Sequence, residues 1–189
     1  MVEGRTKDAI RTECWDKALY AFATASIYER RACSLRRKIR VLTFLGIGVP
    51  MLVGSTALSF DSADIWFRIL ITASSIVLII QLMWSVWSLI ARWDDNLAYA
   101  LESISDNHRL AREFRELGKN PPADLETRYA IMKVMDDNRR SSDEKQGITE
   151  KEKRYGHRAG LRQFQRACTS CNVVPNSLNS SECNICGNF

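Results

Sequence analysis

Four cysteines stand at 168, 171, 183 and 186 in the stretch CTSCNVVPNSLNSSECNIC, a C-x2-C-x11-C-x2-C spacing. Each C-x2-C can present two sulfurs from one tight turn, which is what a tetrahedral metal asks of its ligands. Four thiolates and no open position describe a closed structural site, with Zn²⁺ at about 2.3 Å from each sulfur. Iron takes the same thiolate set. Such a metal would order a tail whose apolar residues are Val173, Val174, Leu178, Ile185 and Phe189, so its work is folding or docking and not catalysis. Gly187, directly after Cys186, lets the backbone turn toward the metal without a Cβ. The same four residues could instead make two disulfides, and the compartment decides between the two chemistries.

The elements that place this tail are read from the apolar segments. No charged residue occurs from Val41 to Phe60 or from Ile69 to Ala91. At about 1.5 Å per residue, both stretches are long enough for a hydrocarbon core about 30 Å thick. A polar, helix-compatible segment precedes the first, which is not the form of a cleavable signal peptide. Just before it, RRACSLRRKIR over residues 30–40 carries six basic residues and no acidic one, whereas the connection DSADIWFR holds Asp61, Asp64 and Arg68. Positively charged flanks stay inside, so both termini are expected in the cytoplasm and the short connection outside. Trp66 and Phe67 at one end, with Trp84, Trp87 and Trp93 near the other, fit aromatic belts at the two interfaces. Cytoplasmic thiols are kept reduced, which turns the reading of the four cysteines toward metal. Cys14 and Cys33 have no partner knuckle and read as small buried or inert residues. A net charge of +5 is modest, its main cluster is explained by topology, and no nucleic-acid partner is expected.

Within the spans two patterns stand out. Gly46, Pro50 and Gly54 repeat at i, i+4, i+8 and offer a smooth face for close helix packing, although glycine and proline are common in membrane helices generally. Ser74, Gln81, Ser85 and Ser88 fall in one sector of the second span, and an amide such as Gln81 should face protein or water. The stripe either bonds a neighbouring helix or lines an aqueous path between several copies.

Outside the spans the pattern is helical. Residues from about Thr6 to Arg40 carry Trp15, Leu19 and Phe22 on one face and can run on into the first span. After the second span, Leu97, Leu101, Ile104, His108 and Ala111 share a face, beside Phe114 and Leu117, and this helix stops near Gly118. Another is expected from about Ala123 to Asn138, with Leu125, Tyr129, Ile131, Met132, Val134 and Met135 as its apolar surface. NRRSSDEKQG, residues 138–147, breaks the pattern, and Thr149 with Glu152 then forms a capping box opening a basic helix to about Arg166. Gly156 and Gly160 count against that helix, whose basic face reads as solvated or near anionic lipid. No P-loop, GxSxG or HExxH occurs, and neither His108 nor His157 stands beside a nucleophile. Asp94 and Asp95, adjacent on a helix, diverge by about 100° and suit a solvated or cap role. No enzymatic activity is expected.

The N-terminal helix, basic patch, two-span hairpin and following helices resemble the SLATT domain, a family of bacterial two-transmembrane effectors found beside nucleotide-signalling and antiphage systems. The Cys168–Cys186 spacing is similar to that of the mobilome CxxCx(11)CxxC proteins, associated with mobile elements. These resemblances imply an oligomeric effector of the bacterial inner membrane that forms a pore or otherwise disrupts the membrane. The alternative is a membrane-anchored, zinc-dependent binding or regulatory module without conduction, with a protein partner at the zinc tail. The expected fold is an all-α membrane protein: an N-terminal cytoplasmic helix (1–40), a transmembrane hairpin (41–91, spans 41–60 and 69–91), a cytoplasmic helical region (92–140), a polar linker and basic helix (141–167), and a four-cysteine zinc-binding tail (168–189).

Overall fold

The structure, a computed structural model, describes residues 7–59 and 65–189. The connection with Phe60, Asp61 and Asp64, and the side chains of Trp66 and Phe67, lie outside the described residues. Five helices follow one another: α1 Lys7–Ser59, α2 Ile65–Ile90, α3 Trp93–Lys119, α4 Leu125–Glu144 and α5 Glu150–Phe164. No strand occurs among the described residues. The N-terminal helix runs without a break into the first apolar segment and through Pro50. The chain divides into two compact units, one reaching Arg31 and resuming from Tyr99 to Phe189, the other spanning Ala32–Ala98.

In the first unit, α1 is the helix that the others cover. Ile10, Cys14, Ala18 and Ala21 pack with Leu110, Ala111, Phe114 and Leu117 of α3 and with Leu125, Tyr129 and Met132 of α4. From Ala18 to Tyr28, α1 is buried on more than one side because alanines, Ser26 and Ile27 let neighbours approach from several directions. Trp15 and Phe22 sit at the edge of that core, each edge-on to Phe164 of α5. On α3 the buried face is Ala100, Ser103, Asn107, Leu110 and Phe114, while Leu101 is exposed and Ile104 and His108 are half-buried. Small and polar residues line the interior where larger apolar ones were expected. His108 is bonded to Glu29 at 2.8 Å and lies edge-on to Phe22, a packing role.

The reason for the shifted face is Asp143, 2% exposed at the end of α4. Its carboxylate accepts from Tyr99 Oη at 2.8 Å, Ser103 Oγ at 2.9 Å, Asn107 Nδ2 at 2.8 Å and Arg139 Nη2 at 3.0 Å, while its carbonyl accepts from Tyr28 Oη at 3.1 Å. Burial, then the bond to Asp143, pushes the Tyr99 phenol up to about 12. Helix α4 therefore continues past Asn138, through a segment that reads as a polar break, because its inward face changes from apolar to hydrogen-bonded. Two further ion pairs fasten α1: Lys17 to Asp136 at 2.5 Å, and Arg31 to Glu152 at 2.5 and 2.7 Å.

The capping box of α5 forms as its sequence requires, with Thr149 and Glu152 bonding reciprocally. Glu152 thus serves both the cap and Arg31, whose guanidinium also bonds the carbonyls of Gln146 and Gly147 at 3.1 Å. The bond from Arg31, foremost, holds the Glu152 carboxyl down at about 2 from an ordinary 4.5. A depressed carboxyl stabilises the fold above its unfolded pKa and ceases to do so as pH falls through the folded one. Stability of this unit should therefore decline between pH 4.5 and 2 by about 2 kcal/mol, after allowance for the partial exposure of the pair. Glu152→Gln should remove that part of the acid slope and lower neutral-pH stability to match, as read from helical ellipticity against denaturant at several pH values. An unchanged slope would assign the acid sensitivity elsewhere.

The second unit is the apolar hairpin. Helices α1 and α2 are both long and apolar enough to cross a membrane. Among the described α2 side chains nearly all are exposed, and the exceptions are four polar residues: Ser74, Gln81 and Ser85 are half-buried and Ser88 is buried. Trp84 and Trp87 are exposed, whereas Trp93 is buried beneath Lys38, whose ammonium lies 5.4 Å from the indole. Arg92, at φ 50, ends α2, and Asp95 in the first turn of α3 bonds it at 2.8 Å, a terminal role for the Asp94–Asp95 pair.

Candidate metal centre

The two halves of the four-cysteine site are built by two turns. In the first, Asn172 N donates to Cys168 O at 2.9 Å and Cys168 N to Val173 O at 3.1 Å, with Asn172 in the left-handed region at φ 53. Asparagine tolerates that conformation better than most residues. In the second, the nitrogens of Gly187 and Asn188 both donate to Cys183 O, at 2.8 and 2.9 Å. Gly187 is required by close approach: a Cβ there would stand 2.5 Å from the Ser181 carbonyl oxygen.

These turns bring the sulfurs of Cys168, Cys171, Cys183 and Cys186 within 4.8 Å of one another. Cys168 and Cys183 are 4.0 Å apart, and Cys171 and Cys186 are 3.8 Å apart. Four sulfurs placed tetrahedrally about 2.3 Å from one ion would be separated by about 3.8 Å. The set therefore fits a tetrahedral cation, whereas a disulfide would need sulfurs at about 2.05 Å. Cys168 and Cys186 are buried, and Cys171 faces outward. Backbone N–H groups of Cys186 and Ile185 aimed at Cys183 bring its thiol down to about 6. Burial pushes Cys186 the other way, and a bound cation would reverse that effect. Cys14 is buried in the helical core and Cys33 is exposed, both apart from the cluster.

Cys168 and Cys186 share an apolar cluster with Leu161 of α5 and Leu19 of α1, flanked by Phe164 and Cys183. Helix α5 keeps Lys151, Lys153 and Arg162 exposed on its basic face, while its other side is held against α1. Cβ atoms at Gly156 would meet Ala23 O at 2.6 Å and at Gly160 would meet Leu19 Cδ2 at 3.0 Å. The two glycines make the helix fit here, and their i, i+4 spacing is the signal that could have disclosed it. Arg158, on the same helix, is 8% exposed and extends into the tail, where Nε donates to Ser177 O at 2.8 Å and Nη1 to Ser181 Oγ and Cys186 O, both at 3.1 Å. Nothing in the pattern of charges marks this arginine out.

A family model matches residues 11–189, almost the whole chain, and its description names this cysteine spacing. The chain belongs to the Mobilome CxxCx(11)CxxC protein family. The match takes in both apolar helices and the bundle as well as the tail, so the cysteines come with this helical framework. No curated protein and no solved structure matches the chain.

In the apolar hairpin the sequence-derived candidates divide. The Gln81 amide lies against α1, where its nitrogen can donate to Leu45 O at 3.3 Å and its oxygen accept from Gly46 N at 3.0 Å. A Cβ at Gly46 would come within 3.0 Å of that amide, whereas one at Gly54 would meet nothing within 4 Å. Pro50 is exposed.

Proposed function

We propose that the protein spans the bacterial inner membrane twice, with both termini in the cytoplasm, and acts as a homo-oligomer that permeabilises the membrane in the setting of mobile elements and antiphage defence. The observation that carries the reading is the outward face of the hairpin: Phe44 is 73% exposed, Met51 71%, Met83 68% and Leu89 75%. So much contiguous apolar surface is unfavourable in water and natural in lipid. The family's mobilome description and the resemblance to SLATT effectors support the setting. The open space at Gly48 and Gly54 supports close approach of a second copy. Zn²⁺ is the metal we assign to the four-cysteine site, as suits reduced cytoplasmic thiols. Exposed Val173 and Ile185 at the tail support a protein partner there.

A second reading, a membrane-anchored metal-dependent binding module without conduction, is favoured by the engagement of Gln81 and the burial of Ser88 within the hairpin. Dye-loaded vesicles separate the two. If copies conduct, the protein releases dye, and Gln81→Leu brings release down to that of protein-free vesicles while insertion and particle mass persist. If the hairpin only anchors, vesicles stay tight and an unrelated two-span anchor supports the same biological activity. A monomeric particle in detergent would eliminate the conducting form.

A further inference from the structure

Cations sunk into the bundle have carboxylate partners: Arg139 has Asp143, Lys17 has Asp136, and Arg31 has Glu152. Arg158 is buried as deeply, yet among the described residues no carboxylate stands within ion-pair distance of it. Its guanidinium is met by the Ser177 and Cys186 carbonyls and the Ser181 hydroxyl, with Cys186 Sγ 4.0 Å from Nη1. A buried guanidinium satisfied by neutral acceptors still lacks a counter-charge. Four thiolates around a divalent cation carry a net charge of −2, so a loaded four-cysteine site supplies one. Without an ion to tie its two turns together, the site holds neither that charge nor a fixed set of acceptors at Arg158.

The same stretch of α5 is what meets α1. Gly156 and Gly160 flank Arg158 in sequence and abut Ala23, Ile27 and Leu19, while Leu161 joins Leu19 to Cys168 and Cys186. We propose that Arg158 is a positioning residue that makes the seating of α5 on α1 conditional on a metal in the four-cysteine site. The metal then works as a latch on the bundle, and its loss would free residues 156–161 of α5 and 19–27 of α1 together. This rests on the assignment of a metal to the four cysteines, and the experiment separates the two claims.

The full chain in detergent is titrated with Co²⁺, whose thiolate charge-transfer bands report tetrahedral sulfur ligation, and amide hydrogen exchange is followed with one equivalent of Zn²⁺ and after chelation. Absence of a one-equivalent Co²⁺ end point would remove the metal assignment itself. With the end point present, chelation is expected to speed exchange tenfold or more in residues 156–161 and 19–27 as well as in the tail, while amides around Asp143 change less than twofold. Faster exchange confined to residues 168–189 would overturn the latch. Arg158→Met is expected to weaken metal binding by about 10–100-fold in chelator competition, the usual span for an outer-shell partner. Arg158→Lys, which keeps the charge, should stay within about fivefold of the native affinity, a rescue that loss of packing alone would not give. Equal affinity for native protein and Arg158→Met, or no rescue by lysine, would overturn the counter-charge role. If Arg158→Met does not fold, the exchange experiment on the native chain decides.

Discussion

Asp143→Ala should lower the stability of the helical bundle by about 3–5 kcal/mol, the cost expected when one member of a buried ion pair is removed. In the native chain the carboxylate receives Tyr99, Ser103, Asn107 and Arg139, all from α3 and α4. Truncation leaves a hydroxyl pair, an amide and part of a guanidinium facing a space that an alanine cannot fill or bond. Arg139 retains Glu102 at 3.1 Å and Asp106 at 3.2 Å, so its charge is not abandoned, and the loss falls mainly on the neutral donors and on the pair itself. Asp143→Asn, which keeps the shape and one acceptor oxygen, should cost about half as much. In detergent, thermal unfolding of the Ala variant should begin on the order of 10 °C lower. A loss under about 1 kcal/mol would mean that water replaces the carboxylate, contrary to a closed network.

That network marks the boundary between what the chain declares in its letters and what it does not. Hydrophobic periodicity finds helices whose inner face is apolar, and Leu125, Tyr129 and Met132 behave accordingly. Past Met132 the inner face of α4 is Asp136, Arg139 and Asp143, which a period search reads as solvent-facing. Burial of polar groups is decided by partners on other helices, and those partners are far away in sequence. Ile131 and Val134, apolar and exposed, show the converse, since the letter alone does not choose the side.

Local rules transferred well wherever the structure is locally determined. Thr149 and Glu152 are three residues apart and need only each other to close the first turn of α5. The cysteine spacing likewise fixes two turns, and only the meeting of those turns depends on the rest of the chain. The seat of the tail was not legible. Leu19, Leu161 and Arg158 are brought to the cysteines by the fit of α5 on α1, a matter of steric room at two glycines whose usual effect on a helix is unfavourable. The polar stripe of α2 was legible as a stripe, but the surface it meets could not be read from α2 alone. Gln81 reaches backbone groups at Leu45 and Gly46, and a backbone partner has no sequence signature.

Gly156→Leu should release α5 from α1, and Gly156→Ala already tests the reason. In an exposed helix, replacing glycine by alanine stabilises by about 1 kcal/mol. Here the new Cβ would stand 2.6 Å from the carbonyl oxygen of Ala23 and 2.7 Å from Ile27 Cγ1. The isoleucine could change rotamer, but the carbonyl belongs to the hydrogen-bonded backbone of α1 and cannot swing aside, so α5 must back away. Backing away also loosens Gly160 from Leu19 and Leu161 from the cysteine cluster. Overpacking of this kind usually costs about 1–3 kcal/mol, and about 3 kcal/mol net is expected for alanine because the obstacle is main chain. Leucine, with three more carbons to place, should exceed about 4 kcal/mol and abolish cooperative unfolding of α5 with the bundle. If Gly156→Ala instead raised the unfolding midpoint, as it would in an exposed helix, the close approach of α5 to α1 would be wrong, and with it the route by which the cysteine tail is held to the bundle.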